Sequence, residues 1–381
     1  MKLFALILLL ICTISLPAQT LAAYNPLSHP NNKIGMHVLF PTEIENVAKL
    51  VNTSGGQWGY ILIPIQSGDK DITKWQTFMD QASQLHLTPI IRLATQGDYF
   101  NTKVWRKPNE TDVLDFANFL NSLIWPTKNR YVIVYNEVNR GDEWGGAANA
   151  AEYANLLSYA ATVFKSINQD FFIISGGMDN AAPNVGAEYI NQYTYFQQMN
   201  DAVPGIFNQV DGFASHSYPN PGFIQPPTTK TRQSITSFSY EREFLSGMVS
   251  KKLPIFITET GWTNEGLSEQ QRATYLKEAL TTVWNDPDIV TVIPFILNAS
   301  GPFAKFSFIA ENGQETQQYK MLKDLPKTAG KPIQIIPRVL AATSEVHASL
   351  VSKEFKEPLE PNNAIALSKT LQVAFNWLLH L

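Results

Sequence analysis

The chain has 381 residues, 44% of them apolar and 16% charged, with a formal net charge of −4. That balance describes a globular protein long enough for one large domain or two small ones. It excludes a disordered chain and, with no basic cluster in sight, argues against nucleic acid as a partner.

The first segment reads as an address. Lys2 precedes an apolar run, Leu3 to Leu16, and small residues follow from Pro17 to Ala23. This is the layout of a secretory signal peptide over residues 1–22, too short and too early for a membrane span. A secreted or cell-envelope protein is expected. The sole cysteine, Cys12, falls inside the leader, so export would bring no disulfide.

From Lys33 onward, short apolar runs alternate with helical patterns. The strand candidates are Ile34–Phe40, Tyr60–Ile65, Pro89–Leu93, Tyr131–Tyr135, Phe171–Ser175, Val210–Ser215, Ile255–Thr258 and Ile289–Leu297. The helices expected between and after them are Thr42–Val51, Ile72–Leu85, Glu110–Leu123, Ala147–Ile167, Ala187–Met199, Ser234–Val249, Ser268–Trp284 and Gln317–Leu325. The strands are apolar on both faces, as parallel strands covered on both sides must be. Eight such units predict an α/β fold, a (β/α)₈ TIM barrel, over residues 23–327. An open doubly wound sheet is the alternative, weakened by the lack of a Gly-rich phosphate loop after any strand.

Residues 328–381 form a short C-terminal extension. Ile333–Ile336 reads as one more strand, residues 341–363 as a linker with partial helical character, and Ala364–Leu381 as an apolar helix. That helix is expected to pack as a plain extension, with weak membrane or cell-surface association as the alternative. A monomer is expected.

In such a barrel the active site lies at the C-terminal ends of the strands. The fourth strand ends in Asn136-Glu137 and the seventh in Glu259; the sixth ends in His216 and Tyr218. Arg92 sits in the third strand and His37 in the first. A pair of carboxyls facing one another suits glycoside hydrolysis, where one protonates the leaving oxygen and the other attacks the sugar or activates water. Arg92, in an apolar run, needs a carboxylate partner, and Glu259 is the obvious one. Trp144 and Trp262 stand near strand ends, where an indole either stacks on a sugar face or fills the layer outside the barrel; both are read as sugar contacts. Asp98, Asp142, Glu143 and Glu265 read as solvated loop carboxylates. No cluster has convincing metal-ligand spacing, and neither metal nor cofactor is expected.

Asn-Glu at the end of strand four with a second Glu at the end of strand seven resembles the clan A glycoside hydrolases, over Lys33 to about Leu325. The resemblance implies a retaining enzyme with Glu137 as acid/base, Glu259 as nucleophile and Asn136 on the sugar 2-hydroxyl. It also implies that Tyr218 hydrogen-bonds the nucleophile and that an Arg, here Arg92, stands near it. This chain departs from the clan's pattern at Val138, where many members have Pro, and at Leu297-Asn298, where many have Trp. The expected substrate is a polysaccharide or oligosaccharide. The alternatives are an inverting enzyme, a transglycosylase, or a decayed barrel that only binds carbohydrate.

Overall fold

The computed structural model describes residues 22–335. Residues 1–21 of the leader expected over 1–22, the linker expected over 341–363 and the apolar helix expected at Ala364–Leu381 lie outside the described residues.

Eight parallel strands appear in chain order: β1 Gly35–His37, β2 Gly59–Gln66, β3 Leu87–Ala94, β4 Arg130–Val134, β5 Phe171–Ser175, β6 Phe213–His216, β7 Ile255–Thr260 and β8 Ile289–Pro294. The α-helices are α1 Ile44–Val51, α2 Ile72–Gln84, α3 Glu110–Ser122, α4 Ala150–Ile167, α5 Gln192–Ala202, α6 Ile206–Gln209, α7 Ser237–Leu245, α8 Glu269–Thr281 and α9 Gln317–Asp324. Continuous ladders run β1 to β5 and β6 to β8. The two sheets are joined by isolated parallel bridges, Ile34 with Val292 at one seam, and Ile174 with Gly212 and Asp179 with His216 at the other. The order and direction are those of the expected (β/α)₈ barrel.

Side chains alternate along each strand. Leu62, Ile90, Tyr131, Ile133, Phe172, Ala214, Phe256 and Ile293 fill the barrel interior. Their neighbours, among them Ile61, Ile91, Val132, Ile173 and Ile257, pack outward against the helices. Every strand therefore buries both faces, and its sequence is mainly apolar.

Two helix starts follow capping residues rather than the apolar runs. Asn149 accepts from Glu152 N and starts α4 at Ala150, not Ala147. Asn191 accepts from Tyr193 N and starts α5 at Gln192, not Ala187. Each cap satisfies a backbone donor that the first helical turn leaves free. β8 stops at Pro294 rather than Leu297, and beyond it Leu297 N donates to His37 O (3.0 Å) at the end of the adjacent β1. Of the extra strand expected at Ile333–Ile336, the described residues show only an isolated antiparallel bridge, Gln334 with Thr127.

Candidate active site

The chain leaves β4 through two residues in left-handed backbone, Tyr135 (φ 65°) and Glu137 (φ 35°), on either side of Asn136. Neither is glycine, so each conformation costs about 1–3 kcal/mol and needs support from its surroundings. That support is local. Tyr153 on α4 donates its hydroxyl to Val134 O (2.9 Å) and accepts from Gly176 N (2.7 Å). Glu137 N donates to Gly177 O (2.9 Å).

Glu259 reaches the barrel interior through a register shift. Phe256 points inward and Ile257 outward, so strict alternation would turn Glu259 toward the helices. Instead Ser215 pairs with Ile257 and the next β6 residue, His216, pairs with Glu259. One residue of β6 thus spans two of β7, and such an irregularity re-aims the side chain after it.

The two carboxylates meet around His216. One oxygen of Glu137, one of Glu259 and a ring nitrogen of His216 all lie within 4.8 Å of one another. His216 Nδ1 is 2.9 Å from Glu137 Oε1 and 3.9 Å from Glu259 Oε2. The ring fits only because residue 177 is glycine; a Cβ there would lie 2.2 Å from His216 Cδ2. Burial opposes a charge on His216, but Glu259 and Glu137 outweigh it and raise its pKa above the ordinary imidazole value.

Glu259 is buried and fully engaged. Arg92 Nη1 donates to its Oε1, and the same nitrogen donates to Asn136 Oδ1 (2.8 Å). Tyr218 Oη donates to Glu259 Oε2 (3.0 Å). Burial alone would raise this carboxyl; the charges of His216 and Arg92 overcome it and hold the group down to about 2. His37 lies behind Glu259, with Nε2 3.9 Å from Oε1 and neither ring nitrogen hydrogen-bonded. Burial and the Arg92 charge depress it to about 3, so it is neutral near pH 7 and does not line the cavity.

Above these groups opens a cavity of about 260 Å³, lined by Arg92, Asn136, Glu137, Glu259, Tyr99 and Trp105 among others. The two tryptophans expected there are elsewhere. Trp262 is 2% exposed, donates Nε1 to Gln225 O (2.8 Å) and packs on Tyr275 and Trp284. Trp144 is equally buried, between Tyr135 and Tyr153, with Nε1 on Glu152 (3.2 Å). Both belong to the layer outside the barrel, the other reading of an indole near a strand end. The cavity's indole is Trp105, from the long β3–α3 loop. Its other aromatics include Phe295 and Phe303, with Phe295 directly after β8. The strand-eight end therefore has its aromatic, two positions before the Leu297 inspected in the sequence.

Three polar residues also join the site. Arg140 lies 3.4 Å from Glu137 Oε2, pairs with Asp142 (2.7 Å) and approaches Asp179 (3.5 Å). Its signal was the i, i+3 spacing from Glu137. Asp142, expected to be solvated, is thus a partner of this arginine. Glu143, expected to be solvated too, lines the cavity, and burial followed by the Glu137 charge pushes its carboxyl up to about 8. Glu137, His216 and Glu259 are also the one metal-like cluster among the described residues. Arg92 and Arg140 already give these carboxylates positive partners, which a cation would have to displace.

No family model matches the chain, and no curated protein sequence does. Solved structures do. A family 39 glycoside hydrolase from Bacteroides cellulosilyticus WH2 matches with TM-score 0.54 and 15% identity, over 80% of this chain and 65% of that one. The chain thus spans just under two thirds of that protein's length. A family 39 β-xylosidase from Caulobacter crescentus matches with TM-score 0.54 and 14% identity, over 83% of this chain and 75% of that one. A family 128 (subgroup II) endo-β-1,3-glucanase from Pseudomonas viridiflava matches with TM-score 0.50 and 14% identity, over 77% and 98%. The fold is that of the glycoside hydrolase barrels. At such identities the likeness reaches the fold alone, and the chemistry rests on the site.

Proposed function

We propose that the chain is an exported retaining glycoside hydrolase that cleaves O-glycosidic bonds of a poly- or oligosaccharide by double displacement. One observation carries the reading. Two carboxylates from the ends of β4 and β7 approach within 4.8 Å at the floor of one cavity. Retaining enzymes hold their carboxyls about 5–5.5 Å apart, and inverting ones roughly 6.5–9.5 Å, to admit a water. The short separation supports retention. Export rests on the leader-like residues 1–22.

In this reading Glu259, ionised by Arg92 and His216 and held by the Tyr218 hydroxyl, attacks the anomeric carbon. Glu137 gives its proton to the leaving oxygen as the glycosidic bond breaks. The glycosyl ester leaves Glu259 uncharged while Glu137 has become the carboxylate, so the negative charge facing His216 moves from one glutamate to the other. Glu137, now without its proton, takes one from the incoming water, and the ester is hydrolysed. Asn136, oriented by Arg92, is placed to bind a sugar hydroxyl. The positive charge that develops on the sugar sits beside the Glu259 carboxylate.

Glu259→Ala should abolish turnover of a cleavable glycoside. Added azide should restore part of it, yielding the glycosyl azide of the opposite anomer. A fully active Glu259→Ala would overturn the assignment. A first-formed hydrolysis product of inverted configuration from the unmodified chain would overturn the retaining step.

A further inference from the structure

A second cavity, of about 400 Å³, lies beside the first and shares Leu39, Pro64 and Tyr99 with it. It adds Phe40, Gln66 and Phe100. Two rows of aromatic rings run between the two cavities. In one, Phe40 meets Tyr99 (centroids 6.3 Å apart) and Tyr99 meets Trp105 (6.1 Å). In the other, Phe100 meets Phe303 (6.3 Å) and Phe303 meets Phe295 (5.4 Å). Each row starts in the outer cavity and ends in the one that holds the glutamates.

We infer that the outer cavity is a distal sugar subsite, so that the substrate is a chain of several sugar units crossing both cavities. The inference rests on the glycosidase reading and deepens it. Ring faces suit the apolar C–H faces of pyranoses, and 47% of Phe40 is exposed for such contact. The Gln66 amide, half-buried in the same wall, supplies hydrogen-bonding atoms for hydroxyls. Charge selects against an ionic ligand. Lys74 is paired with Asp69, and the Asp98 carboxylate already accepts from Phe100 N (2.8 Å) and Asn101 Nδ2 (3.0 Å). What remains open is aromatic and neutral. The β3–α3 loop builds this wall by carrying Tyr99, Phe100 and Trp105 together, and Asp98 fixes its turn.

The test uses the full chain and cello-, laminari-, xylo- and manno-oligosaccharides of two to six units. Both kcat/KM and calorimetric Kd are measured for the unmodified chain and for Phe40→Ala, Phe100→Ala and Phe40→Trp. In the series that is bound or cut, affinity and kcat/KM should climb with chain length. The ratio of longest to shortest should fall about tenfold in each alanine variant, and Phe40→Trp should retain it. A ratio near one in the unmodified chain, or alanine variants that weaken every length equally, would overturn the subsite. Length-dependent binding without any cleavage would uphold it while removing the hydrolase assignment. Neither binding nor cleavage in any series would remove both.

Discussion

Arg92→Met tests the electrostatics of the site most directly. Methionine keeps an unbranched stem but removes the guanidinium that donates to Glu259 and to Asn136. Glu259 is held near 2, against 4.5 for an ordinary glutamate. At 1.36 kcal/mol per pH unit, that difference corresponds to about 3 kcal/mol of preference for the charged form. Arg92 and His216 supply it jointly, and breaking a buried pair also strands the remaining charge. A loss of about 2–3 kcal/mol at pH 7 is expected.

The sign fixes the pH window. The folded value lies below the unfolded one, so this stability is complete above about 4.5 and is lost as pH falls through 2. Urea titrations at pH 7, 5 and 3 should therefore show the gap between unmodified and variant chains widest at pH 7 and narrower at pH 3. The acid limb of kcat/KM should move upward toward 4.5. The rate itself should fall about 100-fold if the whole 3 kcal/mol is needed in the transition state. Equal urea midpoints at pH 7, or an unmoved acid limb, would refute the assignment of Arg92 as the charge that ionises Glu259.

Two further substitutions separate the cavity from the core. Glu143 has its folded value raised to about 8, so its contribution costs stability progressively as pH rises from 4.5 through 8. Glu143→Gln should abolish that decline and be the more stable form at pH 9, as read by urea midpoints from pH 6 to 9; parallel profiles would refute it. Trp105→Ala should raise KM about tenfold with little change in urea midpoint. Trp262→Ala should instead cost about 3–5 kcal/mol of stability, because its indole is buried and donates to Gln225 O. The reverse pattern would return Trp262 to the sugar.

The barrel was legible because its strands bury both faces, and eight apolar runs such as Tyr131–Tyr135 and Ile289–Leu297 leave few other folds. The strand-borne site residues were legible for the same reason. Arg92, Glu259, His216 and Tyr218 are polar residues within or just beyond apolar runs, where each needs a partner, and the structure joins them to one another. Loop residues carry no such signal. Trp105 and Glu143 reach the cavity through the paths of the β3–α3 and β4–α4 loops, which no periodicity encodes. Trp262 misled because position close to Glu259 says nothing about direction: two residues past β7, its ring turns out toward α8 and Tyr275.

Direction also explains the stretch that links the two glutamates. Had β7 kept its alternation, Glu259 would share the outward face of Ile257, among apolar side chains that offer a carboxylate nothing. Arg92 would then stand in the barrel interior with Asn136 as its acceptor and no anion, an uncompensated charge costing several kcal/mol. The opposite conflict holds at β4. Tyr135 and Glu137 accept left-handed backbone, against their own preference, and the turn so made leaves Glu137 beside His216. Two departures from regular strand geometry, on opposite sides of the barrel mouth, bring the carboxylates within 4.8 Å. Local strain of this kind persists only where the surroundings over-determine it. Here Tyr153, Gly176 and Gly177 hold one side, and the β6 register with Tyr218 holds the other. The packing that fixes the fold is thus the same packing that aims Glu137 and Glu259 at one point.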